Sequence, residues 1–332
     1  MNKFDYLVFI GRFEPFHLGH KFVIEQAMQQ ARQLIILIGS ANAPRTLKNP
    51  FSFDERVLMI QGAFDDNTCQ QLHFLPIDDT LYNDHQWIQN IQWQVSAVTK
   101  DDVNAKIGII GHNKDESSYY LSLFPQWCLV TLPNFENLSA TPLRLSYFSG
   151  CDDIDRYLPA SSQKFLQNFS QTKDFSQLQK EYQHIVNYQN AWQHAPYPPI
   201  FVTTDALIVQ AGHILLIERG GEYGQGLWAM PGGFLDKDET LLQCMIREVK
   251  EETGLILNKS CIKTQEIFDK PDRSLRGRTI TTVFYCELYG NKLPTVVGAD
   301  DANCAFWLPL SKLDGNRFFE DHYGIIVKML GL

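Results

Sequence analysis

The sequence predicts two α/β domains in tandem: a doubly wound parallel sheet, then an α+β domain built on a mixed sheet. Three observations carry this. Apolar runs ending at glycine alternate with helix-like segments through roughly the first 150 residues. A proline cluster, HAPYPPI (194–200), then interrupts the chain. Beyond it the strands become β-branched and aromatic, and only one strong helix, 240–252, lies among them. At 332 residues and 44% hydrophobic content, the chain can form two domains that each bury a core.

DYLVFIG (5–11) is a continuous apolar run and reads as a strand buried on both faces. A helix over about 18–32 follows, then QLIILIGS (33–40) as a second buried strand. NPFSFDERVLMIQGAF (49–64) reads as loop and helix, LHFLPI (72–77) as a third strand, and 84–99 as a helix. AKIGIIG (105–111) and WCLVTLP (127–133) complete the strands of this half. In such sheets ligands sit at the carboxyl ends of the strands, where the glycines fall here. Residues 150–194 are polar and helical. The expected division is a first domain at 1–185, a linker at 186–199 and a second domain at 200–332. In the second domain FVTTDALIVQ, HILLIER, TITTVFYCEL and AFWLPL read as strands, and 318–330 as a second helix.

A net charge of −9 argues against a nucleic-acid binder, which carries a basic balance. It leaves nucleotides open, because small phosphates are held by local dipoles, one or two arginines and metal ions. The seven cysteines form no C-x-x-C pair and read as reduced thiols of a cytoplasmic protein. The amino terminus lacks the features of a signal peptide, and no apolar run approaches membrane-spanning length, so no membrane partner is expected. The composition permits a homo-oligomer without requiring one.

In PGGFLDKDETLLQCMIREVKEETGL (231–255), Glu248, Glu251 and Glu252 are spaced i, i+3, i+4 and share one helix face. Like charges at that spacing cost about 0.2–0.5 kcal/mol per pair, and these stand near the negative end of the helix dipole. One reading is a solvated face balanced by Arg247 and Lys250. The other is a divalent cation, Mg2+ or Mn2+, which takes hard oxygen ligands and removes the repulsion. The spacing selects the second. Gly233, Glu239, Arg247, Glu248, Val249, Glu251, Glu252, Gly254 and Leu255 match without a gap the box of the Nudix hydrolases. A chance match has odds on the order of 10⁻⁹ per starting position.

This resemblance implies an α/β/α sandwich that hydrolyses a nucleoside diphosphate linked to another group. It implies Glu248 and Glu252 as the main metal ligands, Glu251 as their helper and the Gly232 carbonyl as a further ligand, with Glu239 and Arg247 shaping the loop. Pro271 resembles a marker of the ADP-ribose pyrophosphatase group. Arg273, Arg276 and Arg278 become phosphate or ribose contacts, although Ser274-Leu275 replaces the acid-proline pair usual in that group. Asp300, Asp301, Glu266 and Glu287 are candidates for the catalytic base.

GRFEPFHLGH (11–20) follows a strand and opens a helix. His17 and His20 can donate to phosphate oxygens, Gly19 lets backbone approach a ligand, and the helix amino terminus favours anions. Arg12 adds a planar fork of donors. The stretch resembles the first motif of the nucleotidylyltransferases, most closely the archaeal-type nicotinamide mononucleotide (NMN) adenylyltransferases, with Glu14 where glutamine is usual. NPFSFDER (49–56) and LSATPLR (138–144) resemble later segments of that family, as does GHNKDESSYYLSLFPQW (111–127). The implied fold is Rossmann-like. The implied site has His17, His20, Arg12 and Arg144 on the triphosphate of ATP, with Gly11, Phe13, Gly19, Ser139, Thr141 and Arg56 around it. Trp87, with Tyr82 and Asn83 nearby, is the candidate to stack on the cationic nicotinamide ring.

The whole chain therefore resembles the bifunctional NMN adenylyltransferase/Nudix hydrolase proteins of bacteria. That resemblance implies synthesis of NAD from NMN and ATP, and metal-dependent hydrolysis of ADP-ribose. Three alternatives stay open: another phosphate acceptor for the first domain, another nucleotide for the second, and a nucleotide-sensing regulator built on Nudix parts.

Overall fold

In the computed structural model, described over residues 3–112, 120–133, 135, 138–300 and 302–332, the amino-terminal half folds around five parallel strands. These are β1 (Phe4–Gly11), β2 (Ala31–Ile38), β3 (Leu72–Pro76), β4 (Ile107–His112) and β5 (Cys128–Leu132), in the order β3-β2-β1-β4-β5. The chain builds outward from β1 in one direction and then resumes at β4 on its other side. The switch point therefore lies between the carboxyl ends of β1 and β4, where such sheets bind ligands. Leu34 through Ile38 are wholly buried, which is why β2 reads as an unbroken apolar run. Val8, Ile35, Leu37 and Ile109 pack against Ile91, Val95 and Phe124.

Helix α1 (Leu18–Met28) ends before the expected residue 32, because β2 begins at Ala31, which pairs with Phe4 of β1. Tertiary pairing overrides local helix preference there. Helices α2 (Phe53–Gln61), α3 (Asp66–Cys69), α4 (Asp84–Thr99), α5 (Ala140–Phe148), α6 (Ala160–Phe169) and α7 (Lys173–Ala191) follow. Helix α2 starts at a Ser52 cap answered by Glu55, the reciprocal pattern that satisfies two orphan amides.

The chain divides into two units at Tyr182 and Gln183, inside α7. Residues 186–191, expected as linker, are the last turns of that helix.

The second unit is a mixed sheet. Strands β6 (Ile200–Gln210), β7 (His213–Arg219), β8 (Trp228–Ala229), β9 (Gly232–Phe234), β10 (Ile262–Phe268), β11 (Arg278–Glu287) and β12 (Ala302–Pro309) make it. The main order is β10-β11-β6-β7-β12, with β8 on β7 and β9 on β6. Among the described strand pairs of this sheet, β11 and β6 alone run parallel. Helix α8 (Leu241–Thr253) lays Met245 and Val249 on Ala206, Ile208, Leu215 and Phe284. Helix α9 (His322–Leu330) begins four residues later than expected and buries Ile325 and Ile326. Among the described residues no helix is long and apolar enough to cross a membrane.

A Cβ on Gly108 would lie 2.8 Å from both the Cys128 carbonyl and Leu7. Gly108→Ala should therefore cost about 1–3 kcal/mol in equilibrium unfolding. An unchanged midpoint would contradict this packing of β4.

Candidate active sites

The first site forms at the carboxyl end of β1. His17 caps α1, and the two histidines complete a reciprocal box. The His20 amide donates to His17 Nδ1 and the His17 amide to His20 Nδ1, each at 3.4 Å. The rings stack with centroids 3.6 Å apart. With Nδ1 accepting an amide hydrogen, each neutral ring carries its own hydrogen on Nε2. The H-x-G-H spacing thus fixes a tautomer with Nε2 as the donor. A Cβ on Gly19 would sit 3.1 Å from the His17 ring, so this glycine makes room for the histidine.

Phe13, expected around the nucleotide, is 1% exposed and sets its ring edge-on to His20 at 4.8 Å. It adopts φ 58°, and a Cβ on Gly11 would meet its ring at 2.9 Å. Phe13 thus packs against His20, and Gly11 makes room for the Phe13 ring. Arg12 is half-buried in the same turn.

Arg56 and Arg144, expected on phosphates, both donate to the protein backbone. Arg56 is fully buried and donates to the carbonyls of Ser52, Arg12, Gly39 and Ser40, clamping the ends of β1 and β2. Arg144 donates to the Leu47 carbonyl at 2.8 Å and the Glu14 carbonyl at 2.9 Å. Burial, with help from Arg12, lowers it to about 10. Both guanidiniums stand at the end of β1 with several of their N–H groups on backbone carbonyls, and Arg144 adds the Thr141 hydroxyl. Thr141 accepts from Arg144 at 3.4 Å, and Ser139 heads α5 with its hydroxyl unused by the cap.

Trp87 is half-buried on α4, edge-on to Tyr120 at 6.3 Å, and packs on the core. Tyr82 takes φ 68° just before the Asn83 cap of α4. Tyr120, not singled out from sequence, donates to the Ile10 carbonyl at 3.4 Å and so ties this aromatic group to the end of β1. Much of the GHNKDESSYYLSLFPQW segment, residues 113–119, lies outside the described residues.

The second site is organised by Arg247. Its Nε and Nη2 grip both Glu239 oxygens at 3.1 and 2.7 Å, Nη2 reaches the Phe234 carbonyl at 3.2 Å, and Nη1 reaches Glu248 at 2.8 Å and Glu251 at 2.9 Å. The Arg247 bonds hold Glu239 down to about 2. Thr240 and Gln243 cap α8 reciprocally, and Gly254 closes it at φ 71°, a conformation that favours glycine.

Glu252 is 4% exposed and accepts the Gly232 amide at 2.8 Å. Gly232 thus donates its N–H to this glutamate, a bond separate from the carbonyl expected on a metal. A Cβ on Gly233 would lie 2.3 Å from Glu248 Oε1, which explains that glycine. Burial pushes Glu252 up to about 8, aided by Glu248 and Asp205. Burial also raises Glu248, with Glu251 and Asp300 adding to it.

Among the described residues no three His, Cys, Asp or Glu side chains converge tightly enough to hold a metal ion as they stand. The reason is Arg247, which ties Glu248 and Glu251 to itself. The donor chemistry still fits a hard divalent cation: all oxygens, and a buried carboxylate whose near neighbours Glu248 and Asp205 are acidic.

Arg273, expected on substrate, is buried in a bidentate pair with Asp321 at 3.0 and 2.8 Å. Pro271 sits exposed in the turn after β10. Of the candidate bases, Glu266 pairs with Lys328, Glu287 lies 3.8 Å from Lys263, and Asp300 acts on Glu248; Asp301 lies outside the described residues. Arg278 donates to the Asp269 carbonyl.

Sequence reading missed Arg219. It ends β7, lies 4.0 Å over the Phe319 ring and feels both Glu252 and Glu320. Arg276 stacks over Phe234 at 5.1 Å beside it. No motif marks Arg219, which ends β7 directly after the Glu218–Trp228 pair with β8.

Fold and sites together define a fusion of two α/β units that each handle nucleotide phosphates. The NUDIX domain family model matches residues 200–328, and the cytidylyltransferase-like model matches residues 8–127. A nicotinamide/nicotinic acid mononucleotide adenylyltransferase of Acinetobacter baylyi is 44% identical over 183 residues, 55% of this chain and 95% of that protein. An ADP-ribose pyrophosphatase of Methanocaldococcus jannaschii is 37% identical over 125 residues, 38% of this chain and 70% of that one. A solved bifunctional NMN adenylyltransferase/ADP-ribose pyrophosphatase from Francisella tularensis superposes with TM-score 0.91 at 36% identity over 99% of both chains. A second structure of that protein, complexed with AMP and a manganese ion, gives TM-score 0.89. The chain belongs to this family of bifunctional NMN adenylyltransferase/Nudix proteins.

Arg247→Ala should leave Glu239, Glu248 and Glu251 mutually repelling and lower Tm in chelator by several degrees. An unchanged Tm would mean that Arg247 does not organise the helix.

Proposed function

We propose that the amino-terminal unit transfers the adenylyl group of ATP to NMN, giving NAD and pyrophosphate. The carboxy-terminal unit hydrolyses ADP-ribose to AMP and ribose 5-phosphate. The His17–His20 box at the switch-point strand carries the first assignment, and the glutamates gathered by Arg247 carry the second.

In adenylyl transfer an NMN phosphate oxygen attacks the α-phosphorus and pyrophosphate leaves, with no protein nucleophile. Catalysis is positioning and charge stabilisation. Arg12, the Nε2 donors of His17 and His20 and the amino terminus of α1 hold the triphosphate, with Ser139 and Thr141 at α5. Arg56 and Arg144 fix the loops that carry these groups. Trp87 and Tyr120 offer aromatic surface to the cationic nicotinamide.

In hydrolysis, water attacks a pyrophosphate phosphorus and the bridging P–O bond breaks. Glu248, Glu251 and Glu252 would hold the divalent ion, Mg2+ with Mn2+ as a substitute. When bound, it supplies charge neutralisation and a more acidic water. Arg219 and Arg276 face the diphosphate, and Asp300, beside Glu248, is the favoured base. We place the protein in the cytoplasm, where these nucleotides occur and thiols stay reduced.

Glu252→Gln should lower AMP release from ADP-ribose more than about a hundredfold and leave NAD formation intact. His20→Ala should lower NAD formation by roughly a hundredfold and spare hydrolysis. Loss of both activities in either folded variant would refute the two-site division.

A further inference from the structure

We propose that Glu14 is a positioning residue whose buried carboxylate takes up a proton when a nucleotide triphosphate binds at Arg12. This rests on the adenylyl-transfer reading of that site. The carboxyl group is wholly buried. Oε2 accepts the Phe51 amide at 3.3 Å. Oε1 lies 3.2 Å from Arg56 Nη1 yet makes no hydrogen bond. The cause is visible in the donor count. Both Nη1 hydrogens are spent, on the Arg12 carbonyl at 3.0 Å and the Gly39 carbonyl at 2.7 Å. A buried carboxylate oxygen without a hydrogen-bond donor is costly in its charged form.

What keeps Glu14 ionisable is therefore the charge of neighbouring arginines, Arg56 the nearest at 3.2 Å, without a directed hydrogen bond to Oε1. The charged groups acting on it are Arg56 from α2, Arg144 from α5 and Arg12 from its own turn, while Asp79 and Glu55 act on Arg56. Arg56 and Arg144 are held in place by backbone carbonyls, Arg56 already against Oε1, so their pull on Glu14 stays fixed when a nucleotide binds. Arg12 is the one of the three assigned to the triphosphate. A bound triphosphate offsets the Arg12 charge and adds negative charge on that side of a poorly screened interior. Burial already pushes Glu14 up to about 7 against the pull of Arg56, Arg144 and Arg12. The further loss of attraction moves its proton equilibrium toward the acid. The proton comes from solvent onto Oε1, and no bond of the nucleotide is made or broken in this step. Protonation leaves a neutral group that keeps the Phe51 bond and does not repel the phosphates. Nucleotide affinity then tightens as pH falls.

The test is calorimetric titration of the full chain with Mg2+ and α,β-methylene ATP, whose α–β bridge cannot be cleaved. It is run at pH 7.5 in buffers of different ionisation enthalpy, with the His20→Ala chain as the blank for binding elsewhere. The wild type should take up roughly half a proton more per bound nucleotide than Glu14→Gln. Equal proton counts would overturn the inference. A second measurement needs no variant: wild-type affinity should weaken about threefold or more from pH 6.5 to 8.5. A flat profile would overturn it too. Absence of binding in the wild type would instead overturn the adenylyl-transfer reading itself.

Discussion

Arg247 is the contact on which the second unit depends. Three glutamates on one face near the carboxyl end of α8 repel one another and oppose the helix dipole. One guanidinium answers Glu239, Glu248, Glu251 and the Phe234 carbonyl together. It thereby locks the β9–α8 loop to the helix and leaves Glu252 apart, buried against the Gly232 amide. The glycines of the motif follow from this geometry. Gly233 clears space for the Glu248 carboxylate, and Gly254 closes the helix in the left-handed region. Stability is given up at Glu252, where burial disfavours the charged form.

The amino-terminal unit uses arginine in a related way, turned inward. Arg56 and Arg144 donate to carbonyls of the loops around β1 and β2. Their charge still reaches the site, while their geometry fixes the turn that presents His17, His20 and Arg12. Local cations of this kind let a chain of net charge −9 handle anionic nucleotides.

Much of this was legible before any coordinates. Strands β1, β2 and β4 are buried on both faces and so spell themselves as apolar runs. The Nudix box and H-x-G-H stretch are spaced by helix geometry, which sequence displays directly. Other parts were not legible. β10 is an edge strand with mostly solvent-facing side chains, so it carries no apolar period. β8 and β9 are too short to show one. Which carbonyl or carboxylate an arginine meets depends on loops distant in sequence, so the backbone partners of Arg56 and Arg144 and the Asp321 partner of Arg273 could not be read from the chain. Arg219 was hidden for the converse reason: its neighbours Phe319 and Glu320 arrive from a hundred residues downstream.

The central claim is that the acid face of α8 exists to hold a divalent cation, with Arg247 keeping it in order. Electron paramagnetic resonance of Mn2+ added to the full chain measures this directly. The account predicts a tightly bound population that disappears in a chain carrying glutamine at both 248 and 252, with the fold retained. A bound population of the same size in that doubly substituted chain would contradict it.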